Sequence, residues 1–127
     1  VSDDGAPSAL GRTLYAGVLA YMALDGFQNN KKRVEVARES GVPLPEVAVP
    51  FATGMLFVAN VGILFWKYPR AAAGALIVFF LGTTPVIHNF WTMEGKERQG
   101  NKINFLKNIA LLGGAIILLD EAANQEE

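Results

Sequence analysis

His88 is the single histidine of the chain, and there is no cysteine to accompany it. It stands in TTPVIHNFW, residues 83 to 91, where a long apolar run ends and Asn89, Phe90 and Trp91 follow at once. An imidazole in that position could ligate a metal or haem, carry a proton, or brace a helix end at a membrane surface. Zinc needs three or four ligands. One histidine among scattered carboxylates has no ligand spacing, so no metal site is expected. A bis-histidine haem would need a second histidine, and a His/Met site would have to use Met22, Met55 or Met93. The residues therefore speak against haem. The missing cysteine removes disulfides, thiol catalysis and iron–sulfur clusters from within this chain.

Other polar residues sit in or beside apolar sequence: Asp25, Asn89, Lys107 and Asn108, with Trp91 next to them. Ionisable groups at membrane depth are costly and normally face a partner or a water-filled cavity. The pairs to expect are Asp25 with Lys107, or Asp25 with His88. The larger expectation for these residues is structural bracing at a membrane surface. The smaller one is a ligand pocket, with few polar groups and flat apolar walls. In that pocket His88 and Asp25 would exchange a proton with a quinone head group, or hydrogen-bond its carbonyl. Trp91 and Phe90 would form the wall. Imidazole suits such a role because it titrates near neutrality.

The elements that must hold these residues follow from where charge is missing. Hydrophobic residues make up 51% of 127, which leaves the class open, but the 23 charged residues (11 basic, 12 acidic) avoid four stretches. These are about residues 8–27, 48–66, 71–88 and 104–119. A bilayer core needs about 20 apolar residues per helix. The second and third stretches carry no charge and no polar stripe of period 3.6, which argues against buried helices of a soluble bundle. The first has Arg12 near its start and Asp25 near its end; the fourth relies on Lys107 snorkelling. The segment VSDDGAP before the first stretch is acidic, the pattern of a retained span rather than a cleaved signal.

The expected fold is all-α: a single membrane domain over 1–127, an up-down-up-down four-helix bundle. Lys31 to Ser40 should form a short interfacial helix between spans one and two, closed by Gly41, Pro43 and Pro45. KYPR, 67–70, is a minimal turn, and 89–103 reads as a second polar loop. Pro85 should free the Leu81 carbonyl and kink the third span, with Thr83 and Thr84 making good part of the loss. Thr53, Phe57 and Asn60 share one face of the second span. Ala16 with Ala20, and Ala110 with Gly114, are small pairs that permit close helix approach.

Such a bundle puts Lys31, Lys32, Arg33, Arg38, Lys96, Arg98 and Lys102 at one surface, with Lys107 just inside. Arg12, Lys67 and Arg70 fall at the other, together with the acidic tails Asp3, Asp4, Asp120, Glu121, Glu126 and Glu127. The positive-inside rule then places both long connections in the cytoplasm and both termini outside the cell membrane. Lys31, Lys32 and Arg33 should face water and anionic lipid head groups. Arg12 should meet the opposite head groups or the C-terminal acids. Trp66, Tyr68 and Trp91 fit an interfacial aromatic belt. With net charge −1 and no basic patch, nucleic acid is not an expected partner.

GRTLYAGVLAYMALDGFQN, ESGVPLPEVAVPFATG, HNFWT and NFLKNIALLGGAIILL follow one another in an order and spacing that resembles the DoxX family of small four-span membrane proteins. The resemblance runs from about residue 10 to residue 119. It implies a four-helix membrane bundle and an association with membrane redox systems, including subunits similar to part of a thiosulfate:quinone oxidoreductase. A thiol or sulfur-relay role cannot be carried over to a chain without cysteine.

No nucleophile–base pair, phosphate loop or metal motif makes a self-contained enzyme of this sequence. The expectation is an accessory membrane subunit of a quinone-linked redox complex, surrounded by lipid and packed with other membrane subunits or with copies of itself. The alternatives are a lipid or small-molecule binding or transport protein, against which the lack of an internal repeat weighs, and a purely structural assembly subunit.

Overall fold

The computed structural model describes residues 6–28 and 30–125. Asp3, Asp4, Glu126 and Glu127, the outermost acids of the expected tails, lie outside the described residues. Among the described residues every regular element is helical. The first apolar stretch is α1 (Ala9–Arg12), a π-helical turn (Thr13–Gly17) and α2 (Val18–Gln28). Ser8 caps its start, its hydroxyl accepting from the Gly11 amide at 2.9 Å.

α3 spans Asn30–Glu39, close to the expected Lys31–Ser40. Gly41 ends it with φ +85°, the left-handed closure that glycine adopts without a Cβ penalty. Arg38 pairs with Glu35 at 2.9 Å and with Glu46, tying α3 to the start of α4 (Pro45–Phe65). Trp66, Lys67 and Tyr68 then lead into α5 (Pro69–Ile87). Two of these three residues are left-handed, Trp66 at φ 54° and Tyr68 at φ 51°. That reverses the chain in the least possible length, and Pro69 at the first helical position suits the restart.

The expected polar loop over 89–103 is mostly helix. After a 3-10 turn at Phe90–Thr92, α6 runs as one helix of 31 residues from Gly95 to Gln125. It starts well before the expected fourth stretch at 104 and ends beyond 119. The reason is that Lys96, Glu97, Arg98 and Gln99 are strong helix formers without an apolar stripe, so they extend a helix that a hydropathy pattern cannot trace.

Three helices among the described residues are long and apolar enough to cross a membrane: Pro45–Phe65, Pro69–Thr92 and Gly95–Asn124. The first stretch is helical without a gap from Ala9 to Gln28, close to the expected 8–27, with a π turn within it at Thr13–Gly17. α2 packs on α4, α4 on α5, and α5 on α6. The interior is built from small side chains, Ala16, Ala23, Ala73 and Ala115, around Leu56, Ile63, Leu76 and Phe80. Large apolar side chains point outward instead, with Phe51, Phe65 and Ile117 each at least 70% exposed. This inverts the soluble pattern. It is what helix association in lipid favours, because tails solvate leucine as well as protein does and only close backbone approach is gained.

Thr53 and Asn60 do share a buried face of α4, bonding one turn back to the Val49 and Leu56 carbonyls at 2.8 Å. Phe57 packs against the same core. In α5 the helix continues through Pro85 to Ile87. Thr83 donates to the Phe79 carbonyl at 2.8 Å, not to the Leu81 carbonyl that Pro85 leaves short of a donor. The Thr84 hydroxyl is buried and finds no partner among the described residues, so the expected compensation by these threonines is not made.

Candidate functional site

His88 is the C-cap of α5, its amide bonded to the Thr84 carbonyl at 2.9 Å. The chain then bends sharply. Asn89 has φ −80° and ψ 65°, and the Phe90 amide reaches the His88 carbonyl at 2.8 Å, the geometry of an inverse γ-turn. Asn89 thus contributes a turn and a carbonyl, which accepts from the Thr92 amide at 3.0 Å and the Thr92 hydroxyl at 2.9 Å. The bend aims the half-buried His88 ring at α6, where its Nδ1 lies 2.8 Å from Oδ1 of Asn101.

The Asn101 amide is oriented by α6 itself, since its Nδ2 donates to the Glu97 carbonyl at 3.0 Å. Oδ1 is therefore the atom presented to His88, and the imidazole proton is assigned to Nδ1. In the neutral ring that leaves Nε2 as a lone-pair acceptor. Asn101 was not among the residues expected from the sequence. It lay in the segment read as a loop, and only the helix-forming run before it pointed to an element there.

Beside this pair, Phe90, Trp91 and Phe105 form a mutual edge-to-face cluster with centroids 5.4 to 5.8 Å apart. The Arg98 guanidinium lies 5.7 Å over the Phe90 ring. Trp91 is 53% exposed, so this wall is open on one side. The α5–α6 junction thus brings together an oriented imidazole, an apolar cluster of aromatic rings and a cation.

The remaining candidates sit elsewhere. Asp25 is exposed on α2, which packs chiefly on α4, whereas Lys107 and Asn108 lie on α6, which packs chiefly on α5. The partner of the His88 Nδ1 is thus an amide and not the expected carboxylate. Lys31, Lys32 and Arg33 are exposed along α3, with the Arg33 guanidinium against Gly26. Among the described residues no three His, Asp or Glu side chains gather as metal ligands would.

Trp66 closes α4 at the other end, with the Arg12 guanidinium 6.0 Å over its ring. Arg12 was expected to reach head groups or the C-terminal acids. It turns inward instead, donating to the Leu64 carbonyl at 2.6 Å and the Pro7 carbonyl at 2.9 Å. A cation there meets the negative end of the α4 dipole and its last unpaired carbonyls.

The comparisons with known proteins bear on the same segments. The family model for DoxX matches residues 8–89, which takes in the first helical stretch through His88 and Asn89 but not α6. An inner membrane protein of Escherichia coli (strain K12), YphA, is 32% identical over 85 residues, covering 67% of this chain and 61% of the relative's length. The chain therefore spans less than two thirds of that relative. No solved structure matches significantly. Helices of spanning length, apolar outer surfaces and this likeness describe a multi-pass membrane protein, and the chain belongs to the DoxX family.

Proposed function

We propose that the chain is an accessory subunit of a quinone-linked redox complex in the cell membrane, with the α5–α6 junction receiving the quinone head group. The observation that supports this most is the His88–Asn101 hydrogen bond. It commits Nδ1–H and turns Nε2 into a directed proton acceptor. A hydroxyl of the reduced head group would donate to Nε2. In its protonated form the same atom would donate to a quinone carbonyl. Trp91 and Phe90 offer a surface for a flat ring, and Arg98 adds positive charge beside it. The redox couple itself would belong to the quinone; the chain positions it and handles a proton.

In this reading the helices form an up-down-up-down bundle of four, with α3 at the interface and its Lys31, Lys32 and Arg33 among anionic head groups. α3 and the charged start of α6 face the cytoplasm and both termini lie outside. A second reading, a structural subunit packed within a larger assembly, draws on α6, whose apolar face carries exposed Ile103, Leu106, Ile109, Ile116 and Ile117 that a neighbouring subunit or a second copy would cover.

Purification in mild detergent separates the two. A stoichiometric quinone that is lost on His88→Ala, while the variant keeps its melting temperature within a few degrees, is the expected result. Recovery of bulk lipid and a stoichiometric partner protein, with no quinone, would sink the quinone site and favour assembly.

A further inference from the structure

Far from His88, at the start of α5, the furrow between α4 and α5 is left unfilled. Its walls are Met55, Ala59 and Gly62 on α4 and Ala71 and Ala75 on α5, and Lys67 lies at its open end; it encloses ≈ 370 Å³. The small residues exist because the helices touch here. A Cβ on Gly62 would stand 3.1 Å from the Ala72 Cβ and 3.1 Å from the Lys67 carbonyl oxygen. Close approach at one point demands small side chains along both edges, and these leave an apolar trough on the outer surface.

The trough is long enough for part of a lipid tail. Its α4 wall from Met55 to Gly62 rises about 10 Å at 1.5 Å per residue, within one half of the roughly 30 Å hydrocarbon core. It also has a charge at its mouth. Lys67 is exposed, and among the described residues none pairs with its ammonium. Arg12, another cation at this end, is already occupied by the Leu64 and Pro7 carbonyls and by Trp66. Tyr68, 83% exposed, adds a phenol at the same level.

We infer that this furrow binds one acyl chain of an anionic phospholipid, with the lipid phosphate on the Lys67 ammonium. An apolar slot on the outer surface selects a tail, and the Lys67 ammonium at its mouth, unpaired among the described residues, selects net negative charge. A zwitterionic head group brings its own cation to the phosphate and gains less from Lys67. The site is independent of the quinone reading, because it uses the opposite end of α5 from His88.

The test is native mass spectrometry of the detergent-solubilised protein with equimolar phosphatidylglycerol and phosphatidylcholine. The wild type should retain one phosphatidylglycerol in preference. Lys67→Gln should lower that preference about fivefold, the effect of about 1 kcal/mol for one lysine at an anionic surface. Ala71→Phe, at an exposed position that fills the furrow, should lose both lipids, and Lys96→Gln at the other end should change neither. Equal retention of the two lipids by the wild type, an unchanged ratio in Lys67→Gln, or undiminished binding in Ala71→Phe would each overturn the assignment.

Discussion

In the proposed quinone site an imidazole with one nitrogen already committed would serve as a directed proton port, and in this chain Asn101 holds that nitrogen. The pair ties α5 to α6, so removing the acceptor should show in stability as well as in ligand binding. Asn101→Leu leaves the His88 Nδ1–H without its partner, and loss of a net hydrogen bond of this kind costs about 1 kcal/mol. The melting temperature in detergent should fall accordingly. Asn89→Ala is the control from the same turn. The φ and ψ of Asn89 are open to any residue, and no hydrogen bond of its side chain is found among the described residues, so stability should stay within about 0.5 kcal/mol. Equal losses in both variants would mean that the turn, not the imidazole link, is the sensitive feature. His88 was legible from the sequence because it is the lone histidine at the end of an apolar run. Asn101 was not, because hydropathy says nothing about which carbonyl oxygen a helix turns toward its neighbour.

The helices themselves show where a pattern of residue types is sufficient and where it fails. α3 was readable because a charged run closed by Gly41 and two prolines has a local meaning at both ends. The start of α6 was not, since its first two turns bury almost nothing and carry no periodic signal. The π turn at Thr13–Gly17 was also hidden, although its purpose is visible in three dimensions. It belongs with Tyr15, whose hydroxyl donates to the Leu111 carbonyl at 2.6 Å across the bundle. Gly114 makes room for the ring, since a Cβ there would lie 2.8 Å from it. No single-stretch reading pairs residues this far apart. α5 offers a test at this scale. Pro85 denies the Leu81 carbonyl its donor, and Leu81 and Pro85 both face outward, where lipid offers no water in exchange. Pro85→Ala should therefore raise thermal stability, by up to about 3 kcal/mol. An unchanged or lower melting temperature would mean that the proline shapes the His88 turn and that its loss is offset there.

For the whole molecule the charges give a definite expectation of how the helices stand in the membrane. α6 is about 46 Å long at 1.5 Å per residue, while the hydrocarbon core is about 30 Å thick. Part of it must project, and the charged turn from Lys96 to Lys102 is the part that belongs in water. That turn, with Lys31, Lys32, Arg33 and Arg38, holds most of the chain's basic residues, so the positive-inside rule assigns it to the cytoplasm. Tyr68, at the opposite end of α5 from this turn, should then face outside. The natural absence of cysteine makes single-cysteine variants clean reporters. A membrane-impermeant maleimide added to intact cells should label Tyr68→Cys and should reach Lys96→Cys only after permeabilisation. The reverse pattern would invert the protein in the membrane and move the His88 site to the outer surface, away from cytoplasmic protons. Labelling of both from outside would mean that α5 does not cross at all. Either result would change which proton pool His88 can exchange with, so orientation comes first in any test of a redox role.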